Sequence, residues 1–184
     1  MSRVLRLAQH ADYERCVSLF TRSVHALAAG DYDTAQRLAW APLEPDLPAW
    51  RQRLDSLQVW LLEEAGVLQG FIGFSLDGHI DLLYCAPEAA RDGVASQLLA
   101  QAEHQLRRAG VMRVCTEASL VARPFFLRQG YRVTAEQWVQ RGAIRLLRCE
   151  MDKQIRRETA DATGRGKSAA GQTDDGGDGG VRAR

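Results

Sequence analysis

Apolar and polar residues recur with two different periods along the chain, and the switches between them mark its elements. Val4 to Leu7 alternates with arginines, as a short half-buried strand does. Val17, Phe20, Val24 and Leu27 then recur at helical spacing behind Asp12, predicting a helix capped by Asp12 and finished by Gly30. Thr34 to Trp40 is a second helical stretch, stopped by Pro42, and Leu47 to Leu54 is a third. Gln58 to Glu63 and Leu68 to Leu76 are predicted strands with Ala65-Gly66 as their turn. Asp77-Gly78 is a strong hairpin signal before a further strand, His79 to Cys85.

After Pro87 the period lengthens again. Val94, Leu98, Leu99, Ala102 and Leu106 form the apolar stripe of a helix from about Gly93 to Ala109, with Glu103 and Arg107 paired on its outer side. Met112 to Thr116 is a strand and Leu120 to Arg128 a short helix ending at Gly130. Two strands, Arg132–Val139 and Ala143–Met151, close the pattern. The strand–helix–strand step sets His79–Cys85 and Met112–Thr116 side by side and parallel, so the class is mixed α/β (α+β).

Composition divides the chain once. From Lys153 onward there is no aromatic residue, and Ile155 and Val181 are the only bulky aliphatics. Such a segment cannot bury enough surface to offset its ordering entropy. Residues 1–152 are therefore expected to fold as one domain, with 153–184 as a disordered Gly/Asp/Ala-rich tail. The tail carries seven basic and five acidic residues, which leaves the remainder at a net charge of −1. A near-neutral domain does not bind nucleic acid by bulk electrostatics. No apolar run reaches the length of a membrane span or a signal peptide, so a cytoplasmic protein without membrane or nucleic-acid partners is expected.

Cys16, Cys85, Cys115 and Cys149 are widely separated, with no histidine at ligand spacing, and read as small core residues rather than a metal site. His104 shares a helical face with Gln97, Gln101 and Arg108 and is expected at the surface. Gly164-Arg165-Gly166-Lys167-Ser168 is not a P-loop, because Asp161 stands where its first glycine is required.

The chemistry concentrates in Leu83-Tyr84-Cys85-Ala86-Pro87 and Arg91-Asp92-Gly93-Val94-Ala95-Ser96. A strand ends there and a helix opens on small residues. Its first N–H groups lack partners within the helix, and small side chains let a pyrophosphate approach them. With the order of elements, this segment resembles the GNAT N-acetyltransferase superfamily, whose signature is Gln/Arg-x-x-Gly-x-Gly/Ala. Gly93 and Ala95 fit its last two positions, and Ala90 stands where Gln or Arg is usual. A second string, Glu117 through Tyr131, resembles N-x-x-A-x-x-x-Y-x-x-x-G-F: Ser119 takes the Asn position, Ala122 matches, Phe126 replaces the Tyr, and Gly130-Tyr131 matches Gly-Phe. The segment from Asp31-Tyr32 to Pro42 also looks like one subgroup of that family.

The resemblance implies a GNAT-like acyl-CoA N-acyltransferase fold, a twisted mixed sheet with two splayed parallel strands flanked by helices. Acetyl-CoA is implied as co-substrate, with pantetheine paired to Leu83, Tyr84 and Cys85 and pyrophosphate on Arg91 through Ser96. Ser119 and Phe126 would border the cofactor, and no metal is implied. His25, Tyr32, Trp40 and His79 would shape the acceptor site. Oligomeric state stays open, with a sheet-edge homodimer compatible with the resemblance.

Direct acetyl transfer needs a neutral amine. At pH 7 this costs roughly 4.6 kcal/mol for a lysine-like amine and about 1 kcal/mol for an α-amino group, against roughly 2 kcal/mol to expel a thiolate. The base thus matters more than the acid. Asp81 interrupts an apolar strand on the face of His79 and is the leading base candidate; the competing readings are a solvated face or an ion pair with a structural arginine. Glu117 is the second candidate. Phe126 cannot donate a proton, which leaves Tyr84 or water for the leaving thiolate. The function expected is acetyl transfer to a primary amine of a small molecule or peptide. The alternatives are an inactive acyl-CoA-binding module of the same fold and an oligomeric scaffold.

Overall fold

The computed structural model describes residues 2–156. Seven strands form one sheet in the order β1-β2-β3-β4-β5-β7-β6: β1 Arg3–Leu7, β2 Gln58–Glu64, β3 Val67–Phe74, β4 His79–Cys85, β5 Arg113–Ser119, β6 Arg132–Arg141 and β7 Ile144–Gln154. Every neighbouring pair is antiparallel except β4 and β5, as the strand–helix–strand step requires. Helices α1 (Tyr13–Leu27), α2 (Thr34–Trp40) and α3 (Leu47–Asp55) precede the meander, α4 (Val94–Arg108) links β4 to β5, and α5 (Arg123–Arg128) links β5 to β6.

The two sheet faces take different helices because side chains alternate along β3. A Cβ on Gly70 would come within 2.7 Å of Val94 and 2.9 Å of the Tyr84 carbonyl, so this glycine lets α4 sit directly on the sheet. The next residue, Phe71, points the other way, where Tyr84 packs edge-on to Phe20 of α1 at 4.8 Å. Phe71, Ile72, Phe74, Leu61, Leu98 and Leu106 are fully buried between these layers.

Polar residues depart from the sequence pattern where ion pairs bury them. Glu103 was expected on the outer side of α4. It is buried, and Lys153, Arg107 and the Tyr131 hydroxyl converge on it at 2.7, 2.7 and 3.2 Å. Lys153 sits in β7, which runs past the expected end of the domain at 152, and Ile155 behind it is buried too. The rest of the expected tail, 157–184, lies outside the described residues. Asp12 does not cap α1 with its side chain. It accepts from Arg6 at 2.7 and 2.8 Å and from the Gln9 N–H at 2.8 Å, and these bonds hold its carboxyl down at about 2. His104 is half-buried rather than exposed. Helix α5 starts later than predicted because β5 extends through Ser119.

Candidate active site

The site begins where the two parallel strands part. β4 and β5 pair only at His79↔Cys115 and Ile80↔Thr116, and the Thr116 hydroxyl donates to the Ile80 carbonyl at 2.9 Å. Beyond that point β4 stays bonded to β3 alone and β5 to β7 alone. The cause lies in β4, where Gly73 faces Leu82 and Phe74 faces Ile80, leaving Asp81 as an unmatched bulge residue. A bulge bends its strand and re-aims its side chain. The shift in alternation brings Tyr84 onto the face that Asp81 shares with His79, so Asp81 and Tyr84 line one cavity and His79 reaches it through Glu117.

The α4 side of this opening is made of backbone. Gly93 is the N-cap of α4 in the left-handed region at φ 76°, a conformation costly for residues with a Cβ. A Cβ there would meet only Gln97, 4.0 Å away, so the space above Gly93 is open. The first helical hydrogen bond runs from the Gln97 N–H to the Gly93 carbonyl, so the N–H groups of Val94, Ala95 and Ser96 precede the helical ladder. The Ala95 N–H points at the Cys85 sulfur, whose thiol burial raises to about 11. Arg91 is also left-handed, at φ 67°. Asp92 is tied to β1, with its carboxylate and its carbonyl both bound by the Arg3 guanidinium. An open glycine, helical N–H groups that precede the ladder and a strand edge not paired to β5 together fit a pyrophosphate and a pantetheine arm.

The opposite side is a cavity of about 350 Å³ made of side chains from three helices and four strands. Phe20, Trp40, Trp50 and Tyr84 wall it, and Asp81 and Glu117 lie at its floor beside the splay. Asp81 accepts from Arg53 Nε at 2.7 Å, so the ion-pair reading of this carboxylate holds. Arg53 lies over the Trp50 ring at 5.2 Å. His79 Nε2 donates to Glu117 at 2.8 Å, so His79 touches the site through Glu117. Burial raises the Tyr84 hydroxyl to about 12, and the Trp40 ring lies 6.5 Å from the Tyr84 ring.

Several expected site residues play other parts. The Tyr32 hydroxyl donates to the Leu147 carbonyl at 2.6 Å and accepts from the Leu120 N–H at 3.0 Å, so it clamps β5 to β7 while its ring lines the cavity. His25 lies outside the cavity lining; it donates to the Ala41 carbonyl at 2.8 Å and closes the end of α2. Phe126 is buried against Phe125 and Tyr131, away from the cavity. Ser119 lines the cavity and accepts from the Ala122 N–H at 3.2 Å. Ser96 accepts from Gln129 at 3.4 Å. Arg53, Trp50, Arg141 and Arg148 were not singled out in the sequence. Trp50 and Arg53, three apart on one helix, carried the one visible signal, whereas Arg141 and Arg148 reach the cavity through a hairpin. The four cysteines are free, Cys16 and Cys149 are buried, and no metal-binding cluster occurs among the described residues. None of the described helices is long and apolar enough to cross a membrane.

Known proteins resemble this chain in sequence and fold. The model of the acetyltransferase (GNAT) domain matches residues 32–153. The uncharacterized N-acetyltransferase YafP of Escherichia coli strain K12 is 34% identical over 143 residues, which span 76% of this chain and 88% of the relative. A GCN5-related N-acetyltransferase from Rhodopseudomonas palustris superposes with a TM-score of 0.81 at 26% identity, over 84% of this chain and 97% of that one. The acetyltransferase-like yncA of Salmonella typhimurium, solved with acetyl-CoA, aligns with a TM-score of 0.58 at 22% identity over 89% and 99% of the two chains.

Proposed function

This chain belongs to the GNAT acetyltransferase family and is an acetyl-CoA-dependent N-acetyltransferase, and from that premise we propose that it acetylates a primary amine by direct attack, with Asp81 as the base. The observation that carries this reading is the two-sided opening at the bulge, with a backbone cradle on one side and an acid-floored cavity on the other. Acetyl-CoA supplies the acetyl group as a reactive thioester. The N–H groups at the start of α4 would hold its pyrophosphate, and the β5-facing edge of Leu83 to Cys85 its pantetheine.

The protein's own groups then do three things. Trp40, Trp50 and Phe20 hold the acceptor and exclude water around the amine. Asp81, fixed by Arg53, takes the amine's proton as the new N–C bond forms and the C–S bond breaks, directly or through one water. Tyr84 offers its hydrogen to the departing sulfur. Full proton transfer from a phenol near 12 to a thiolate near 8.5 would be uphill by about 5 kcal/mol. Tyr84 therefore acts as a hydrogen-bond donor, and the thiolate leaves as such. Glu117 and His79 form a second, solvent-connected pair at the same floor.

Thiol release from acetyl-CoA across a panel of primary amines tests the reading. Release with at least one amine is expected. Thermal stabilisation by acetyl-CoA with no release from any amine would leave an acyl-CoA-binding module instead. Equal release by the wild type and Asp81→Asn would remove Asp81 from the base role.

A further inference from the structure

The charges of the acceptor cavity are unevenly used. Each of its three carboxylates is engaged: Asp46 caps α3 by accepting from the Ala49 N–H at 3.0 Å, Asp81 holds Arg53, and Glu117 holds His79. The guanidinium groups are not spent in the same way. Arg148 donates from Nε to Gln137 at 2.6 Å and Arg53 from Nε to Asp81, and in both the terminal nitrogens make no hydrogen bond to the described residues. Arg141 makes none at all to them. It sits at the end of β6, where the hairpin overhangs the cavity, close enough for its charge to act on the Tyr84 hydroxyl. Arg148 faces Ser119 across the β5–β7 ladder, on the cavity side.

We propose that the acceptor is an amino acid in the chemical sense: a primary amine on a flat apolar body that also carries a carboxylate. This rests on the acetyl-transfer reading and narrows it. The amine lies toward Asp81 and the splay. The apolar body lies between Trp40, Trp50 and Phe20, within a volume suited to one small molecule. The carboxylate meets Arg141 and Arg148, whose planar forks match its two oxygens. A plain cationic amine would leave those guanidinium groups facing one another and a second positive charge. The cavity therefore discriminates against it.

Three matched pairs of acceptors test this: L-phenylalanine with 2-phenylethylamine, L-tryptophan with tryptamine, and 4-(aminomethyl)benzoic acid with benzylamine. Within each pair the ring is common and the carboxylate alone is lost. In at least one pair, kcat/KM for the carboxylated member is expected to exceed its partner by roughly 10- to 100-fold, the worth of one or two charge-assisted hydrogen bonds. Arg141→Gln and Arg148→Gln should each erase most of that ratio by raising KM for the carboxylated member only. Arg141→Lys, which keeps the charge and loses the fork, should retain part of it. Decarboxylated amines equal to or better than their partners in all three pairs would overturn the proposal while leaving acetyl transfer intact. The same holds if only simple alkyl amines release thiol. If no amine of any kind releases thiol, the transfer reading falls and this inference falls with it.

Discussion

The two sides of the β4–β5 opening are built from different materials. On the α4 side, the proposed cofactor face is made of backbone N–H groups, one left-handed glycine and a strand edge, in a single run of sequence from Leu83 to Ser96. On the other side, the proposed acceptor face is made of side chains of α1, α2, α3, β4, β5, β6 and β7 that meet only in the fold. The first suits a ligand that never changes, because backbone geometry tolerates many sequences. The second suits a ligand that differs from protein to protein, because each wall can be exchanged without disturbing the others.

The sharpest way to break this contrast is at the floor between the two sides. Asp81→Asn is expected to lower kcat by about 10²- to 10⁴-fold, the usual worth of a positioned base, with little change in acetyl-CoA affinity. Steady-state thiol release measures it. Glu117→Gln in the same assay should cost less, and a larger loss there would move the base role to the Glu117–His79 pair. Behind the backbone side, Glu103→Ala should cost about 3 kcal/mol of unfolding free energy by denaturant titration. That change strips Lys153, Arg107 and Tyr131 of their common partner.

Gly93→Ala probes the cradle itself. At φ 76° an alanine costs about 1–2 kcal/mol of strain, so the loop relaxes and the KM for acetyl-CoA rises by roughly tenfold with the acceptor KM unmoved. Equal rises in both KM values would blur the division between the sides. Phe126→Tyr should restore no activity, because the residue is buried against Tyr131 rather than beside the cavity. It should also cost about 1–2 kcal/mol for a hydroxyl without a partner, read as a lower Tm. The smallest effect is on acid stability. Asp12 titrates at about 2 in the fold and near 3.9 unfolded, so its stabilisation is complete above about pH 4 and is lost as the pH falls toward 2. Asp12→Asn should flatten that part of the Tm-against-pH curve.

Local signals carried most of the secondary structure. Thr34–Trp40 and His79–Cys85 match their predicted bounds, because a proline stop in one case and an Asp-Gly turn in the other act within a few residues. Glu103 misled for the opposite reason. Its i,i+4 arginine suggested a solvated face, and the partners that make burial tolerable, Lys153 and Tyr131, are distant in sequence. Ile155 and Lys153 were assigned to the tail by its composition, although the ladder with β5 reaches Gln154.

Asp81 shows the same division within one residue. Its oddity, a carboxylate in an apolar strand, could be read directly from the sequence. Its partner Arg53 and the bulge that brings Tyr84 onto its face could not. The sequence by itself determined the mixed fold, the order of its elements and the strand–turn–helix joint that places Gly93 at the start of α4, since each depends on periodicity, turn chemistry or a glycine acting locally. Only the tertiary structure decided the acceptor cavity, the pairing of its acids and the freedom of Arg141 and Arg148. Those depend on distances between segments more than a hundred residues apart, as Tyr32 and Leu147 are, which are set when the sheet twists, bulges and closes against its helices.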